Sequence, residues 1–192
     1  MNAEEFVDKL AKLAPSVDDL IVKGYEREVA EEIRSAYFNE KNEVYNDYDD
    51  PLLDLINNYD TSNLEIGILK IGNRKYDFPS PPEKIRVGSV ESDILVINPK
   101  TGHVELLDHA HPEYVIGICA VSGERFLEAI LLLADFEMPY LDSRLKNKIT
   151  EKQSVANNLA AHKKAAECTK VAGLGKEATI FHLLLGCDCW IS

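Results

Sequence analysis

The sequence lacks any apolar run close to the roughly 20 residues that a membrane-spanning helix needs. Residues 1–9 are acidic and amphipathic, which is the wrong chemistry for a signal or transit peptide. The four cysteines, Cys119, Cys168, Cys187 and Cys189, show no disulfide framework. These observations predict a protein of the reducing cytoplasm that does not associate with membranes.

Positive charge is also scarce, with 21 Lys and Arg against 33 Asp and Glu and a formal charge of −12. Residues 1–139 carry 13 basic against 28 acidic residues, or −15, whereas residues 140–192 carry 8 against 5, or +3. An acidic body repels nucleic acid and anionic lipid, so neither is expected as a direct partner. It favours a basic protein surface drawn in by long-range attraction. Solubility alone is the plainer explanation of such a charge.

Catalytic motifs are absent as well. The glycine-containing stretches 72–75 and 173–176 lack the spacing of a phosphate-binding loop. No G-x-S-x-G elbow or H-E-x-x-H helix occurs anywhere in the chain. We therefore expect a protein that is not an enzyme, with no catalytic residue and no cofactor.

Two groups of residues resemble incomplete metal sites. His109 and His111 have the alternate spacing that places two imidazoles on one face of a strand. His182, Cys187 and Cys189 lie close in sequence, but C-x-C is not the C-x-x-C of a zinc knuckle. The sequence favours an exposed loop for the first group and a packed chain end for the second. A metal site, or a cysteine nucleophile in the second group, stays the alternative.

The spacing of apolar residues predicts an α+β fold: one central sheet of about four to six strands with flanking N- and C-terminal helices. Helices are expected over residues 3–14, 18–38 and 51–59. The second is expected to bury Val22 and Val29, with Gly24 as the one point where it could be interrupted.

The second half of the chain predicts a buried sheet followed by helices. Residues 114–120 are apolar throughout, which predicts a central strand covered on both faces. A nearly apolar helix is expected over residues 124–136 and should end at Pro139. The chain then divides into an α+β domain, residues 1–139, and a helical extension packed on it, residues 140–192.

The most regular segment, residues 92–108, predicts a β-hairpin with strands over 94–97 and 103–107. Asn98-Pro99 suits the first two positions of a type I turn, because proline presets φ to about −65°. Gly102 supplies the left-handed residue that turns the chain into the second strand.

Residues 39–50 are polar and acidic, which predicts a loop. Because tyrosine offers contact area at low entropic cost, a loop that combines tyrosines with carboxylates is a candidate protein-binding surface. A solvated connection is the alternative. The candidate contact residues are Glu40, Glu43, Tyr45, Tyr48, Asp49 and Asp50.

Four short stretches of the hairpin region follow one another in the order found in a known family. They are 93–97 (Asp-Ile-Leu-Val-Ile), 101–104 (Thr-Gly-His-Val), 118–120 (Ile-Cys-Ala) and 124–127 (Glu-Arg-Phe-Leu), with Asp108 between the second and third. Over about residues 50–136 the chain thereby resembles the SUKH superfamily, known mostly as bacterial immunity proteins against secreted polymorphic toxins.

The resemblance implies an α+β fold without catalytic residues or cofactors. It also implies a function by binding, in which a cytoplasmic immunity protein neutralises a cognate toxin domain, often a basic nuclease. The alternative is a cytoplasmic regulatory or scaffold protein, as in the yeast regulator of cell-wall synthesis and the Syd protein of the same superfamily. The matched positions are structural, so they identify no contact residue.

Overall fold

The structure, a computed structural model, describes residues 1–72, 80–145, 151–176 and 178–187, with only the backbone for 137–145 and 151–155. Seven helices and six strands follow one another within these residues. They are α1 Ala3–Leu13, α2 Val17–Val22, α3 Arg27–Ser35, α4 Pro51–Asn58, β1 Glu65–Ile66, β2 Leu69–Ile71, β3 Ile85–Val90, β4 Asp93–Ile97, β5 Val104–Leu107, β6 Val115–Ala120, α5 Gly123–Leu145, α6 Glu151–Val171 and α7 Ile180–Leu184.

The strands form one antiparallel sheet in which each strand pairs with the next in the chain, from β1 to β6. Helices α1, α4 and α6 pack against α5, and α5 in turn contacts β1 and β6. The main core lies between helices and sheet, with Phe6, Leu95, Phe126 and Phe181 fully buried in it. The predicted α+β fold with a single central sheet is confirmed.

The predicted hairpin is β4 and β5, which pair from Ile94 with Leu107 to Ile97 with Val104. The carbonyl oxygen of Asn98 accepts hydrogen bonds from the backbone N–H groups of Thr101, at 3.2 Å, and Gly102, at 2.8 Å. Gly102 has φ of +75°, the left-handed conformation that glycine adopts at little cost. The hairpin prediction is therefore confirmed, including its turn.

The buried carboxylate of Glu105 links the β4–β5 turn to the residue just before β3. Glu105 accepts hydrogen bonds from Lys84 Nζ at 2.6 Å and from Asn98 Nδ2 at 2.9 Å. Burial works to raise the pKa of Glu105, but these two donors prevail and hold it below its usual value. The charge is thus stabilised inside the fold, because both of its oxygens are hydrogen-bonded.

The single helix expected over residues 18–38 is wrong, because the chain forms α2 and α3 with a break between them. Gly24 adopts φ of +100°, which ends α2, and extended Glu26 precedes α3. The break changes which face is buried, so Val22 is 87% exposed and Val29 is exposed too. The prediction had placed both side chains in the core because it assumed one continuous helix with 3.6 residues per turn.

The expectation of a central strand over residues 114–120 is also wrong. β6 is the last strand of the sheet and, within the described part of the chain, pairs only with β5. Several of its apolar side chains are exposed, although Cys119 and Ala120 are buried. An apolar run indicates a strand. It does not encode the order of the strands, which decides whether the strand lies at the centre or at the edge of the sheet.

Pro139 does not end its helix, since α5 continues through it to Leu145. Proline inside a helix costs about 3 kcal/mol. The helix that carries this cost packs against α1, α4 and α6. The predicted division between residues 139 and 140 therefore falls inside one helix, while α6 and α7 pack against α5 and β6 respectively.

Two strand glycines provide a matched test of the sheet. A Cβ on Gly88 would lie 2.2 Å from the Lys70 carbonyl oxygen, whereas a Cβ on Gly117 would meet no atom within 4 Å. We expect Gly88→Ala to lower the free energy of unfolding by about 2 kcal/mol or more, because the clash is with backbone. Gly117→Ala should change it by less than about 0.5 kcal/mol or raise it. Urea unfolding measures both, and equal losses would contradict this description of the β2–β3 contact.

Candidate functional site: an acidic loop between α3 and α4

The acidic loop, residues 39–50, is held in place by one buried amide. Asn58, at the end of α4, is fully buried, and its Oδ1 accepts from the backbone N–H of Asn46 at 3.0 Å. Its Nδ2 donates to the Asn46 carbonyl oxygen at 2.5 Å and to Asp54 Oδ1 at 2.6 Å. Asn58 therefore pairs with the loop backbone on both the donor and the acceptor side.

The start of the loop is held by backbone pairing to the end of α4. Lys41 forms an antiparallel bridge with Tyr59. The Asn42 N–H donates to the Asn58 carbonyl oxygen at 2.8 Å, and the Asp60 N–H donates to the Glu40 carbonyl oxygen at 2.7 Å. The loop thus has a defined path on the surface.

The outer side of the loop presents apolar groups among carboxylates. Val44 is 75% exposed and Tyr45 is 50% exposed. Lys41 Nζ lies 4.3 Å from the centre of the Tyr45 ring, which is a cation–π distance. The carboxylates exposed on the same loop are Glu40, Glu43, Asp47 and Asp49.

Carboxylates from two helices extend the negative charge of the loop. The charge of Asp54 on α4 is the main cause that raises the pKa of Tyr45, with burial, Asp47 and Glu4 adding to it. Burial is the largest cause that raises the pKa of Tyr59, and the charges of Asp54, Glu4 and Asp8 add to it. Because these carboxylates act on the two tyrosines, we call the loop together with Glu4, Asp8 and Asp54 the acidic surface.

The structure gives the six predicted contact residues different roles. Glu40, Glu43, Tyr45 and Asp49 are exposed and Tyr48 is half-buried, so these side chains lie at the surface. The carboxylate of Asp50 accepts from the N–H groups that begin α4 and from the Gly123 N–H at 3.3 Å. Asp50 is accordingly the cap of α4, and its oxygens are already used.

Sequence reasoning missed the helix members of the acidic surface. Asp54 could have been identified from the sequence, because Asp50, Asp54 and Asn58 recur every four residues and so share one face of α4. Glu4 and Asp8 likewise share a face of α1. Nothing in the sequence indicates that α1 packs beside α4, which is what brings these carboxylates to the loop.

A second cluster involves His109, which lies beside Asp93. His109 Nδ1 lies 2.9 Å from Asp93 Oδ1, and the backbone N–H of His109 donates to the same oxygen at 3.2 Å. Asp93, Asp108 and His109 each offer a ligand atom within 4.8 Å of the other two, so the chemistry of a cation site is present. In the structure the cluster joins β4 to the chain after β5.

A third cluster pairs His182 with a residue that sequence reasoning missed. The rings of His162 on α6 and His182 on α7 have centroids 5.3 Å apart. Among the described residues, His162 Nε2 and His182 Nδ1 are buried and have no hydrogen-bond partner. Cys187 is buried, whereas Cys189 lies outside the described residues. The two imidazoles come together because α6 and α7 pack against each other.

The thiols of Cys119 and Cys168 are poor nucleophiles. Burial raises the pKa of Cys119 far above its usual value, and burial raises that of Cys168 to about 12. Because the thiolate is the reactive form, both thiols are inert at neutral pH.

Removal of the α4 cap tests the anchoring of the loop. We expect Asp50→Ala to lower the free energy of unfolding by about 1 to 2 kcal/mol, because the first N–H groups of α4 lose their acceptor. Asp49→Ala removes the same charge from an exposed position and should change it by less than about 0.5 kcal/mol. Urea unfolding compares the two variants, and equal effects would refute the structural role of Asp50.

The α6–α7 contact should weaken in mild acid. Burial, and then the charge of His162, lower the pKa of His182 below its ordinary 6.5. The unfolded chain therefore binds more protons than the folded one just below pH 6.5, so the contribution is present above that pH and lost as the pH falls. We expect the free energy of unfolding to decrease from about pH 7.5 to about pH 5.5.

A variant without the imidazole identifies the titrating group. His182→Phe should flatten this pH dependence, while His111→Gln, at an exposed position, should leave it unchanged. Glu105 has a lowered pKa and titrates below this window, so it does not contribute to the slope. Urea unfolding at a series of pH values measures the slope, and an unchanged slope in His182→Phe would exclude His182 as its source.

Within the described residues, no helix combines the length and the apolar character needed to cross a bilayer. Comparison of the chain with protein-family models, with curated proteins and with solved structures finds no match in any of the three. The SUKH resemblance therefore stays a prediction from the stretches around the β4–β5 hairpin.

Proposed function

We propose that this chain is a non-enzymatic binding protein, an immunity protein that neutralises a cognate, basic toxin domain through its acidic surface. The observation that carries the proposal is the exposed pair Val44 and Tyr45 on a loop whose carboxylates Glu40, Glu43, Asp47 and Asp49 are exposed as well. The resemblance of the β4–β5 region to immunity proteins supplies the class of partner.

The chemistry of the acidic surface suits a cationic protein. Long-range attraction raises the rate of encounter with a basic partner, and it falls as salt screens the charges. Tyr45 and Val44 can then be desolvated at the centre of the contact, where tyrosine is enriched among residues that dominate binding energy. A carboxylate rim around an apolar centre provides both attraction and affinity.

The proposal also accounts for why the loop is anchored instead of free. The buried Asn58 amide fixes Asn46, and the Asn42 and Glu40 backbone groups pair with the chain at the end of α4. A surface that is ordered before it binds loses less conformational entropy in the complex. Blocking a toxin requires a long-lived complex, and pre-ordering favours one.

The proposal predicts that a toxin domain is encoded immediately upstream of this chain, and the direct test is co-expression with that domain. We expect the wild-type chain to rescue growth and to bind that domain with a salt-dependent association rate. Glu43→Gln/Asp47→Asn/Asp49→Asn should reduce the association rate about tenfold at low salt. Glu91→Gln/Glu113→Gln/Asp135→Asn removes the same charge from exposed positions on other elements and should have little effect.

The apolar centre has its own matched control. Tyr45→Ala should weaken binding at least tenfold through faster dissociation, whereas Val22→Ala, at a more exposed site on α2, should not. Surface plasmon resonance against the purified toxin domain separates the two rates. Rescue and binding that survive both the triple charge variant and Tyr45→Ala would show that another surface is used. Absence of any rescue by the wild type would end the immunity proposal.

A further inference from the structure

Two histidines at the contact between α6 and α7 have buried ring nitrogens that the fold leaves unused. His162 on α6 and His182 on α7 have ring centroids 5.3 Å apart. Within the described residues, the buried atoms His162 Nε2 and His182 Nδ1 have no hydrogen-bond partner. Buried polar atoms are nearly always hydrogen-bonded, so each exception calls for an explanation, of which a bound ion is one.

The spacing of the two rings is that of imidazoles bound to one metal ion. A ligating ring nitrogen lies about 2.0 to 2.1 Å from zinc, and two ligands of a tetrahedral ion form an angle of about 109°. The centroids of two such rings then lie about 5 Å apart. The observed separation of 5.3 Å matches this value, and a tilt of 48° between the ring planes shows that the rings do not stack.

The cluster of Asp93, Asp108 and His109 could also ligate a metal, but its convergence is explained without one. Asp93 Oδ1 accepts from the backbone N–H of His109 and lies 2.9 Å from its ring nitrogen. Asp108 Oδ1 accepts from the backbone N–H groups of Ala110 and His111. These hydrogen bonds hold the chain after β5. No such bond accounts for the two buried nitrogens at the contact of α6 with α7.

We propose that His162 and His182 bind a divalent transition-metal ion of the zinc class, which joins α7 to α6. Imidazole suits zinc, nickel and copper, whereas magnesium and calcium take oxygen ligands. Two protein ligands leave two positions of a tetrahedral ion for water. Both histidines are half-buried and the neighbouring Leu183 is 47% exposed, so an ion can enter from solvent. The inference does not depend on the proposed function.

The ion would give the short helix α7 a second attachment. α7 has only five residues, which is too short for a helix to be stable by itself, and it packs against α6 and β6. The two histidines are 20 positions apart in sequence and meet only because α6 and α7 pack together. An ion that binds both therefore favours the folded chain, and stability should rise with its concentration.

Isothermal titration calorimetry of the metal-free full chain with zinc chloride, in a large excess of magnesium, tests the site. Magnesium competes for exposed carboxylates and so suppresses weak zinc binding there. We expect wild type to bind one equivalent of zinc. His162→Gln and His182→Gln should each weaken binding at least about tenfold, because loss of even a second-shell partner has that effect. His109→Gln and His111→Gln are matched controls and should bind like wild type.

Urea unfolding with and without zinc checks that the variants fold. Zinc should raise the urea midpoint of wild type and of His109→Gln, and it should leave that of His182→Gln unchanged. The midpoint without zinc shows directly whether a variant is folded. If glutamine disturbs the contact, His162→Phe keeps a ring of similar shape without a ligating nitrogen, and it should also lose the response to zinc.

A wild type that does not bind zinc would overturn the proposal. So would binding that survives both His162→Gln and His182→Gln, or binding that His109→Gln abolishes, which would place the ion at the Asp93 cluster. The spectrum of the cobalt-loaded wild type should lack thiolate-to-metal charge transfer, and its presence would show that cysteine holds the ion instead. None of these measurements involves the toxin, so their failure is distinct from failure of the proposed function.

Discussion

The Asp50 carboxylate joins the start of α4 to the start of α5. It accepts backbone N–H groups of Leu52 and Leu53 at the start of α4 and of Gly123 at the start of α5. The approach is so close that a Cβ on Gly123 would lie 2.1 Å from an Asp50 oxygen. Since α5 is the helix against which α1, α4 and α6 pack, this carboxylate links the end of the acidic loop to the core.

Features governed by neighbours in sequence could be predicted, and features governed by packing could not. The turn at Asn98 and Gly102, and the cap at Asp50, follow from the conformational preferences of a few adjacent residues. The exposure of β6 depends on which strand lies beside it, and the apolar run from residue 114 carries no such information. Gly24 lies between these cases, because glycine permits a break without requiring one.

The same division applies to the candidate sites. The acidic and aromatic composition of the loop is visible in the sequence, and four of the six predicted contact residues are exposed, while their contact with a partner stays a prediction. The contribution of Glu4 and Asp8 depends on the contact of α1 with α4, and the pairing of His162 with His182 depends on that of α6 with α7. Residues far apart in the chain share a site only through the tertiary fold.

The burial of Asn58 has a consequence for evolution of the acidic surface. Because this amide holds the loop backbone and not its side chains, the outward residues can vary while the path of the loop stays the same. Under the proposed function, such a scaffold lets the recognised partner change while the fold is kept. Asn58 itself has no such freedom, since its replacement would remove both hydrogen-bond partners that fix the Asn46 backbone.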